Sequence, residues 1–327
     1  MTKIINSNEL HLAKTSLDNG NLVIFPTETV YGLGANALDY NAVNKIFLAK
    51  GRPNNNPLIV HLKDKEEISK YAIINNDIEK TLIDKFMPGP FTLILEKKNL
   101  IPNNVTCNMN TVGIRIPDNN IAHELLSIID YPIAAPSANI STKPSGTRVI
   151  DIFNEFNGKV DYLIDGGESI IGLESTVVKV IDNIPTILRP GFITKEDIIS
   201  VIGCCNVSEY VMKEASGNVE SPGMLYKHYA PVTTCILVDA NKLLEESLKY
   251  DKCIIIGSSK NKDIPCLKYF NYGNSKPEIA HNIFKLLREA DKIEGEVILI
   301  EAVDTLGLGL AIMNRLIRTC QYNYIKN

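Results

Sequence analysis

The alternation of apolar and polar positions predicts an α/β protein along the whole chain. Apolar residues at helical spacing predict a first helix over residues 8–19, which Gly20 ends. Short apolar runs between turn residues predict strands, and further amphipathic segments predict helices. In the N-terminal part the expected strands are 21–25, 58–62, 91–95, 112–116, 132–135, 161–165, 174–181 and 186–189, and the further expected helices are 64–72, 77–86, 119–129 and 195–202.

The pattern changes twice in the C-terminal part. Residues 204–234 carry weak periodicity and are predicted to form a linker, whose prolines, tyrosines and histidine are unlike a plain Gly/Ser spacer. The alternation of strands and helices that follows predicts a small α/β domain with a largely parallel sheet. Its expected strands are 235–238, 253–257, 266–270 and 296–300, and its expected helices are 240–249, 276–292 and 308–320. The predicted organisation is therefore a domain at 1–203, a linker at 204–234 and a domain at 235–327.

Composition narrows the class of protein. The formal net charge is −4 and neither part of the chain is basic, which gives no support to a general nucleic-acid binder. No apolar run reaches the roughly 20 residues that span a bilayer, and the N-terminal segment lacks the apolar core of a signal peptide. The seven cysteines include no CxxC pair, which argues against a disulfide framework and a cysteine zinc site. We therefore expect a cytoplasmic protein with no membrane association.

The stretch from Phe25 to Pro57 combines a strand, a polar turn and a helix. Gly32 and Gly34 permit either tight turns or close backbone approach. Asp39 is placed to cap a helix that ends at two cations, Lys50 and Arg52, on either side of a glycine. Cations at a helix end suit an anionic ligand, but they also suit the helix dipole, so both interpretations stay open.

Other polar clusters follow predicted strands, where open α/β sheets bind ligands. Arg115 lies between two isoleucines, and its planar guanidinium group suits a carboxylate or phosphate, or else the solvated face of a strand. Ser137 and Asn139 suit phosphate or ribose, although turn chemistry alone also explains them. No P-loop, GxGxxG, HExxH or GxSxG motif is present. The residues alone thus indicate an anion-binding α/β enzyme, with a nucleotide as one candidate ligand.

The motifs taken together, and in order, resemble the YrdC-like threonylcarbamoyl-AMP synthase family. They are Phe25-Pro-Thr-Glu-Thr-Val-Tyr-Gly-Leu33, Lys50-Gly-Arg-Pro53, Pro88-Gly-Pro90, Val112-Gly-Ile-Arg115, Pro136-Ser-Ala-Asn139 and Leu188-Arg-Pro-Gly191. Residues 221–231 and Ala311-Ile-Met-Asn-Arg315 resemble the linker and C-terminal domain of the longer members. The resemblance implies a YrdC-like domain with a twisted, mixed, open α/β sheet, a linker that acts as a lid, and a small Rossmann-like α/β domain.

The resemblance implies a nucleotidyltransferase that makes L-threonylcarbamoyl-AMP. Its substrates would be L-threonine, bicarbonate or CO2, and ATP, with release of pyrophosphate. The product would pass to the tRNA threonylcarbamoyl-transferase machinery, which modifies the adenosine beside the anticodon of tRNAs reading ANN codons. Mg²⁺ would bind through ATP and not through a protein site alone. Whether tRNA binds directly is left open.

The resemblance also assigns site residues. The expected catalytic residues are Lys50, Arg52, Ser137 and Asn139. The expected ATP-binding residues are Lys50, Arg52, Asn56, Thr111, Ser137, Asn139, Ser145, Arg189 and Tyr226, with Tyr226 as part of the lid. The expected threonine-binding residues are Thr29, His61, Arg115, Ala135 and Ser175. No residue is assigned as a general base.

Two alternatives belong to other functional classes. The first is a module that binds tRNA or double-stranded RNA, against which the acidic charge balance counts. The second is a carbamoyl-transfer protein of hydrogenase maturation, in which a similar domain lies within a larger protein. The cysteine-rich zinc motifs and acylphosphatase domain of that protein are not visible in this sequence.

Overall fold

The chain folds into two α/β units, each with its own sheet. The computed structural model describes residues 1–51, 53–54, 56–213 and 229–327. The predictions for Arg52 and for the Tyr226 lid lie outside these described residues. None of the helices in the described ranges is both long and apolar enough to cross a membrane.

The first unit contains a 12-stranded mixed sheet within the described ranges. Its strands are β1 (Lys3–Ile5), β2 (Val23–Phe25), β3 (Gly32–Asn36), β4 (Ile59–His61), β5 (Ala72–Ile73), β6 (Phe91–Lys97), β7 (Thr111–Arg115), β8 (Ile133–Ala134), β9 (Tyr162–Ile164), β10 (Thr176–Ile181), β11 (Ile184–Arg189) and β12 (Asn206–Val207). They lie in the order β1-β9-β2-β3-β8-β4-β7-β6-β10-β11-β12, and β5 pairs with β6. Some neighbours are parallel, such as β4 and β7, and others antiparallel, such as β6 and β7.

Amphipathic helices pack against this sheet. They are α1 (Leu10–Asp18), α2 (Tyr40–Lys50), α3 (Ile68–Tyr71), α4 (Asp77–Phe86), α5 (Asn103–Thr106), α6 (Asn120–Ser127), α7 (Val149–Phe156) and α8 (Lys195–Ile202). Helix α2 matters most for the site. It begins where Asp39 accepts hydrogen bonds from the backbone N–H groups of Asn41 and Ala42, and it ends at Gly51, which has a φ of 64°. Its apolar face, with Val43, is buried in the core, and this packing fixes the helix's C-terminal end.

The second unit contains a 5-stranded sheet in which every neighbouring pair is parallel. Its strands are β13 (Cys235–Val238), β14 (Cys253–Gly257), β15 (Lys268–Asn271), β16 (Val297–Glu301) and β17 (Tyr324–Ile325), in the order β15-β14-β16-β13-β17. Its helices are α9 (Leu243–Ser247), α10 (Lys276–Ala290) and α11 (Gly309–Thr319). The fold class predicted from the sequence, a mixed-sheet domain followed by a small Rossmann-like domain, is confirmed.

The two units share a buried contact. Val30 and Leu173 of the first unit belong to the apolar cluster that contains the core of the second unit. Gly172, beside them, has a φ of +81°, and a Cβ atom there would lie 2.6 Å from the backbone oxygen of Ala280 in α10. The predicted domain limits stay a prediction, and β12, which pairs with β11, extends the first sheet into the predicted linker.

Some elements depart from the sequence predictions. Gly32 and Gly34 lie in β3, a strand that the pattern missed, so the tight-turn interpretation is wrong. Close approach is what they provide: a Cβ atom on Gly34 would lie 2.8 Å from Ile133, and one on Gly32 would lie 3.1 Å from Phe25. Helix α7 was also not predicted, because its segment is short and follows a stretch rich in turn residues.

Candidate active site

A pocket with several charged and polar side chains in its lining opens where strands of the first sheet end. His61 closes β4 and Arg115 closes β7, and the two residues are paired across these parallel strands. Ala135 follows β8, whose partner is also β4. All three line one pocket, together with Lys50 from the end of α2. Register therefore brings together residues that are far apart in the sequence.

Arg115 is held from behind by a buried carboxylate. Its Nη2 atom lies 2.7 Å from Oε1 of Glu28, and both side chains are nearly inaccessible to solvent. The same Nη2 atom also lies 3.5 Å from the hydroxyl of Thr27. That hydroxyl in turn lies 2.8 Å from the hydroxyl of Thr29. Arg115 lines the pocket while Glu28 lies behind it, so the pocket presents a cation at this end.

His61 adds a neutral imidazole beside that cation. Burial, and secondarily the charge of Arg115, lower the pKa of His61 to about 3. The ring of Phe25 packs against it edge to face, with centroids 5.8 Å apart. His61 therefore lines the pocket as a polar but uncharged side chain at neutral pH.

Lys50 reaches the pocket from the end of α2. Its Nζ atom donates to the backbone oxygens of Ser137 and Asn139 at 2.5 and 2.6 Å. The side chain of Asn139 also accepts from the hydroxyl of Ser137 at 2.6 Å. The loop is tied to β3 by a bridge between Gly32 and Ser137. The lysine and the two polar loop residues thus form one connected cluster.

Arg189, at the end of β11, supplies another buried cation. Its guanidinium group donates to the backbone oxygen of Ser175 at 2.9 Å and to the Ser175 hydroxyl at 3.1 Å. The Ser175 hydroxyl also lies 2.7 Å from that of Thr92. Burial lowers the pKa of Arg189 to about 10, an effect that nearby Glu174 opposes. The group is therefore charged at neutral pH.

Glu174 also lines the pocket, and its partner comes from the second unit. Its Oε2 atom lies 2.8 Å from Nε of Arg315 in α11, and its Oε1 atom accepts from the Ser145 hydroxyl at 2.5 Å. Burial alone would raise the pKa of this carboxyl group, but the charges of Arg315 and Arg189 and the Ser145 hydrogen bond lower it to about 2. Glu174 is therefore ionised at neutral pH.

Most of the residues proposed from the sequence meet at this pocket. Those that line it are Lys50, His61, Arg115, Ala135, Ser137, Asn139, Ser175 and Arg189. Thr29 and Ser145 are buried one residue behind the lining, bonded to Thr27 and Glu174 respectively. Asn56 is buried outside the lining, and Thr111 lies at the opposite end of β7 from Arg115. Their roles stay predictions, as do those of Arg52 and Tyr226.

Sequence reasoning gave no role to several residues of the site. Glu28 and Glu174 were visible only as members of longer motifs, and Tyr229, which lines the pocket, lies within the predicted linker at 204–234. Arg315 carried a usable signal: it lies at helical spacing from Ala311 and Ile312 and directly before Leu316, on the apolar side of a predicted helix. A charged residue in such a position indicates a buried partner.

Comparisons with known proteins agree with this arrangement. Residues 15–191 match the Sua5/YciO/YrdC domain family, described as "Telomere recombination". Residues 193–320 match the family described as "Threonylcarbamoyl-AMP synthase, C-terminal domain". The two matches lie one after the other along the chain, in the order that the sequence motifs predicted.

Full-length relatives carry the same name. The threonylcarbamoyl-AMP synthase of Pyrococcus abyssi is 43% identical, with 100% of both chains covered. That of Bacillus subtilis is 37% identical, covering 97% of this chain and 95% of its own. A crystal structure of Pyrococcus abyssi Sua5 complexed with L-threonine superposes with a TM-score of 0.95 at 41% identity, covering 100% of both chains. The chain therefore belongs to the threonylcarbamoyl-AMP synthase family, in its two-domain Sua5 form.

Proposed function

We propose that this protein is a nucleotidyltransferase that makes L-threonylcarbamoyl-AMP from L-threonine, bicarbonate or CO2, and ATP, and releases pyrophosphate. The observation that carries this proposal is the convergence of Lys50, Arg115 and Arg189 on one pocket. Three separate cations suit a reaction that gathers several anionic reactants. The names of the full-length relatives and the threonine complex of the Pyrococcus abyssi protein support the same assignment.

The amino acid would bind at the Arg115 end of the pocket. Its carboxylate would accept hydrogen bonds from the guanidinium group of Arg115, whose planar donors match a carboxylate. The neutral His61, with Thr27 and Ala135, would surround the rest of the molecule. A neutral imidazole does not repel the ammonium group of threonine, which must lose its proton before it reacts.

The nucleotide would bind at the end formed by Lys50, Ser137, Asn139 and Arg189. In this assignment the two cations neutralise charge that develops on the phosphates. Ser145 would act on this side through Glu174, to which it donates. Arg52, Asn56, Thr111 and Tyr226 stay proposed ATP contacts.

Magnesium would arrive with the triphosphate. Mg²⁺ keeps several waters and commonly binds substrate phosphates with only one or two protein oxygens. The donors that line the pocket within the described ranges are mostly hydroxyl, amide and cationic groups, and Glu174 is already held by Arg315 and Ser145. These residues fit a metal ion held mainly by the phosphates, where it would offset phosphate charge.

The proposed reaction depends more on holding the reactants in line than on a general base supplied by the protein. The threonine amine adds to CO2 to give a carbamate, with loss of the amine proton to solvent. A carbamate oxygen then bonds to the α-phosphorus, and the bond from that phosphorus to the oxygen bridging the β-phosphate breaks, so that pyrophosphate leaves. Holding the two anions in line supplies a large part of such a rate increase. We propose that the protein works in the cytoplasm and passes its product to the tRNA threonylcarbamoyl-transferase machinery.

Pyrophosphate release with single omissions tests the proposal. We expect release that needs threonine, bicarbonate and ATP together, with an AMP-containing product. A second test is Lys50→Ala, for which a loss of activity on the order of 10²-fold is expected, the scale of losing a charge donor to the transition state. Pyrophosphate release that is unchanged without threonine would show that the proposed function is wrong.

A further inference from the structure

We propose that Arg315, a residue of the second unit, is a positioning residue for the nucleotide side of the active site, which it serves by holding Glu174. The proposal rests on the proposed function and gives the second unit a chemical part in it. Arg315 itself does not line the pocket, whereas Glu174 does. The inferred chain of contacts runs from Arg315 to Glu174 and from Glu174 to Ser145.

Arg315 is fixed on several sides. Its side chain is 0% exposed. Besides the contact of Nε with Glu174 at 2.8 Å, Nη1 donates to the backbone oxygen of Pro190 at 3.0 Å and to Oδ1 of Asn314 at 2.7 Å. Its guanidinium carbon lies 5.7 Å from the ring centroid of Tyr229, which lines the pocket. These contacts leave the group little freedom to turn away.

Glu174 is held at its backbone as well. A Cβ atom on Gly191 would lie 2.7 Å from the backbone oxygen of Glu174, so two chain segments are in close contact there. With Oε2 facing Arg315, Oε1 is directed to the Ser145 hydroxyl at 2.5 Å. Fixing one oxygen therefore fixes the partner of the other, and with it the orientation of Ser145.

The carboxylate of Glu174 faces the pocket and needs a nearby cation to compensate its charge. The pocket gathers anionic reactants, and an uncompensated carboxylate in it would repel the triphosphate. The charge of Arg189 also acts on Glu174, while its guanidinium group donates to Ser175; the ion pair at 2.8 Å is made by Arg315. Arg315 supplies the compensating charge from behind, so Glu174 keeps its hydrogen bond to Ser145 without adding a net negative charge to the site.

Stability alone does not account for this pair. Replacing a buried ion pair by well-packed apolar residues is often neutral or stabilising, so a buried pair is weak evidence for a purely structural role. The surrounding interface is already apolar, since Val30 and Leu173 pack into the core of the second unit. The position of the pair, at the pocket wall and directly after Leu173, is what a functional role explains.

The test compares Arg315→Met, Arg315→Met/Glu174→Gln and Arg318→Met. Arg318 is a matched control, because it is a buried arginine of the same helix that donates to the backbone oxygen of Tyr210. ATP affinity is measured by calorimetry and turnover by pyrophosphate release, with thermal melting as the check on folding. Arg315→Met should raise the Kd and KM for ATP at least about tenfold while changing the KM for threonine less than about threefold. The double variant should bring ATP affinity back to within about threefold, because glutamine accepts the Ser145 hydrogen bond without a charge.

The pH profile adds a readout that a structural role would not change. The groups facing the Glu174 carboxylate are Arg315, Arg189, Tyr229 and the Ser145 hydroxyl. Removing Arg315 takes away one of the two charges that lower the pKa of Glu174, so this pKa should be higher than in wild type, and the ATP affinity of Arg315→Met should increase as the pH falls and the carboxyl group takes up a proton. Wild type and the double variant should lack this increase.

Two results would overturn the inference. One is an ATP Kd in Arg315→Met equal to that of wild type. The other is a loss that affects both substrates equally, is not corrected by Glu174→Gln and is matched by Arg318→Met. Because ATP binding is measured directly, a wild-type protein without threonine-dependent turnover would contradict the proposed function and would still allow the inference to be judged by the Kd values.

Discussion

Two buried arginine–carboxylate pairs lie against the same pocket with opposite orientation. In the pair of Arg115 and Glu28, the arginine lines the pocket and the carboxylate lies behind it. In the pair of Glu174 and Arg315, the carboxylate lines the pocket and the arginine lies behind it. The first pair is built within one unit, and the second joins the two units.

The difference shows that the effect of a buried ion pair on ligand binding depends on which of its members faces the pocket. The member that faces the pocket determines which ligand charge is accepted, and the hidden member sets how strongly that charge is felt. Removing the hidden member should therefore change anion binding with opposite sign at the two ends. We expect loss of Arg315 to weaken binding of the nucleotide and loss of Glu28 to strengthen binding of the amino acid.

The largest effect is expected from Arg115→Met, which removes the pocket-facing cation of the first pair. A bidentate, charge-assisted contact is worth about 3 kcal/mol, so the KM for threonine should rise roughly 10²-fold. Glu28 is left buried without its partner, which costs about 3–5 kcal/mol of unfolding free energy. Steady-state kinetics and denaturant unfolding measure the two effects separately.

The control for this variant is Arg115→Met/Glu28→Gln. It should recover most of the lost stability, because no uncompensated charge remains, and it should not recover threonine binding. If the double variant bound threonine as wild type does, Arg115 would not be the carboxylate partner.

A smaller effect, of opposite sign, is expected from Glu28→Gln. Taking one negative charge from behind Arg115 strengthens its attraction for the threonine carboxylate by about 1–2 kcal/mol at an effective dielectric constant of 20, or roughly tenfold in Kd. The variant without ligand should be less stable than wild type, and threonine should raise its melting temperature by more. Weaker threonine binding in this variant would show that Glu28 acts mainly by orienting Arg115. The predicted opposite effects of removing Glu28 and Arg315 would then be wrong.

The smallest effect is expected from the pH dependence set by His61. The folded protein keeps His61 neutral down to a pKa of about 3, whereas the unfolded chain takes up a proton near pH 6.5. The unfolded state therefore binds more protons below pH 6.5, and stability falls as the pH falls. Wild type should lose about 1 kcal/mol more than His61→Phe between pH 6.5 and about 5.5. Equal losses in urea unfolding would mean that His61 is protonated in the folded protein.

The sequence predicted the pocket-facing cations better than their partners. Lys50 lies directly after a segment with helical periodicity, and Arg115 lies within the predicted strand 112–116, so local pattern placed both residues in or beside regular elements. Glu28 and Arg315 act through contacts across 87 and 141 residues of sequence, which no local pattern encodes. Strand β3 was missed for a related reason, because its glycines are selected for close packing against Phe25 and Ile133 and not for strand propensity.

Gly172 limits which residue this position of the chain can hold. It is subject to two independent demands, a left-handed backbone and a neighbouring helix that leaves no room for a methyl group. Asparagine tolerates the first demand but not the second. A lineage that lost the second unit would be released from the steric demand alone. In such a single-domain protein, asparagine at this position would be a sign that an ancestor had carried the second domain.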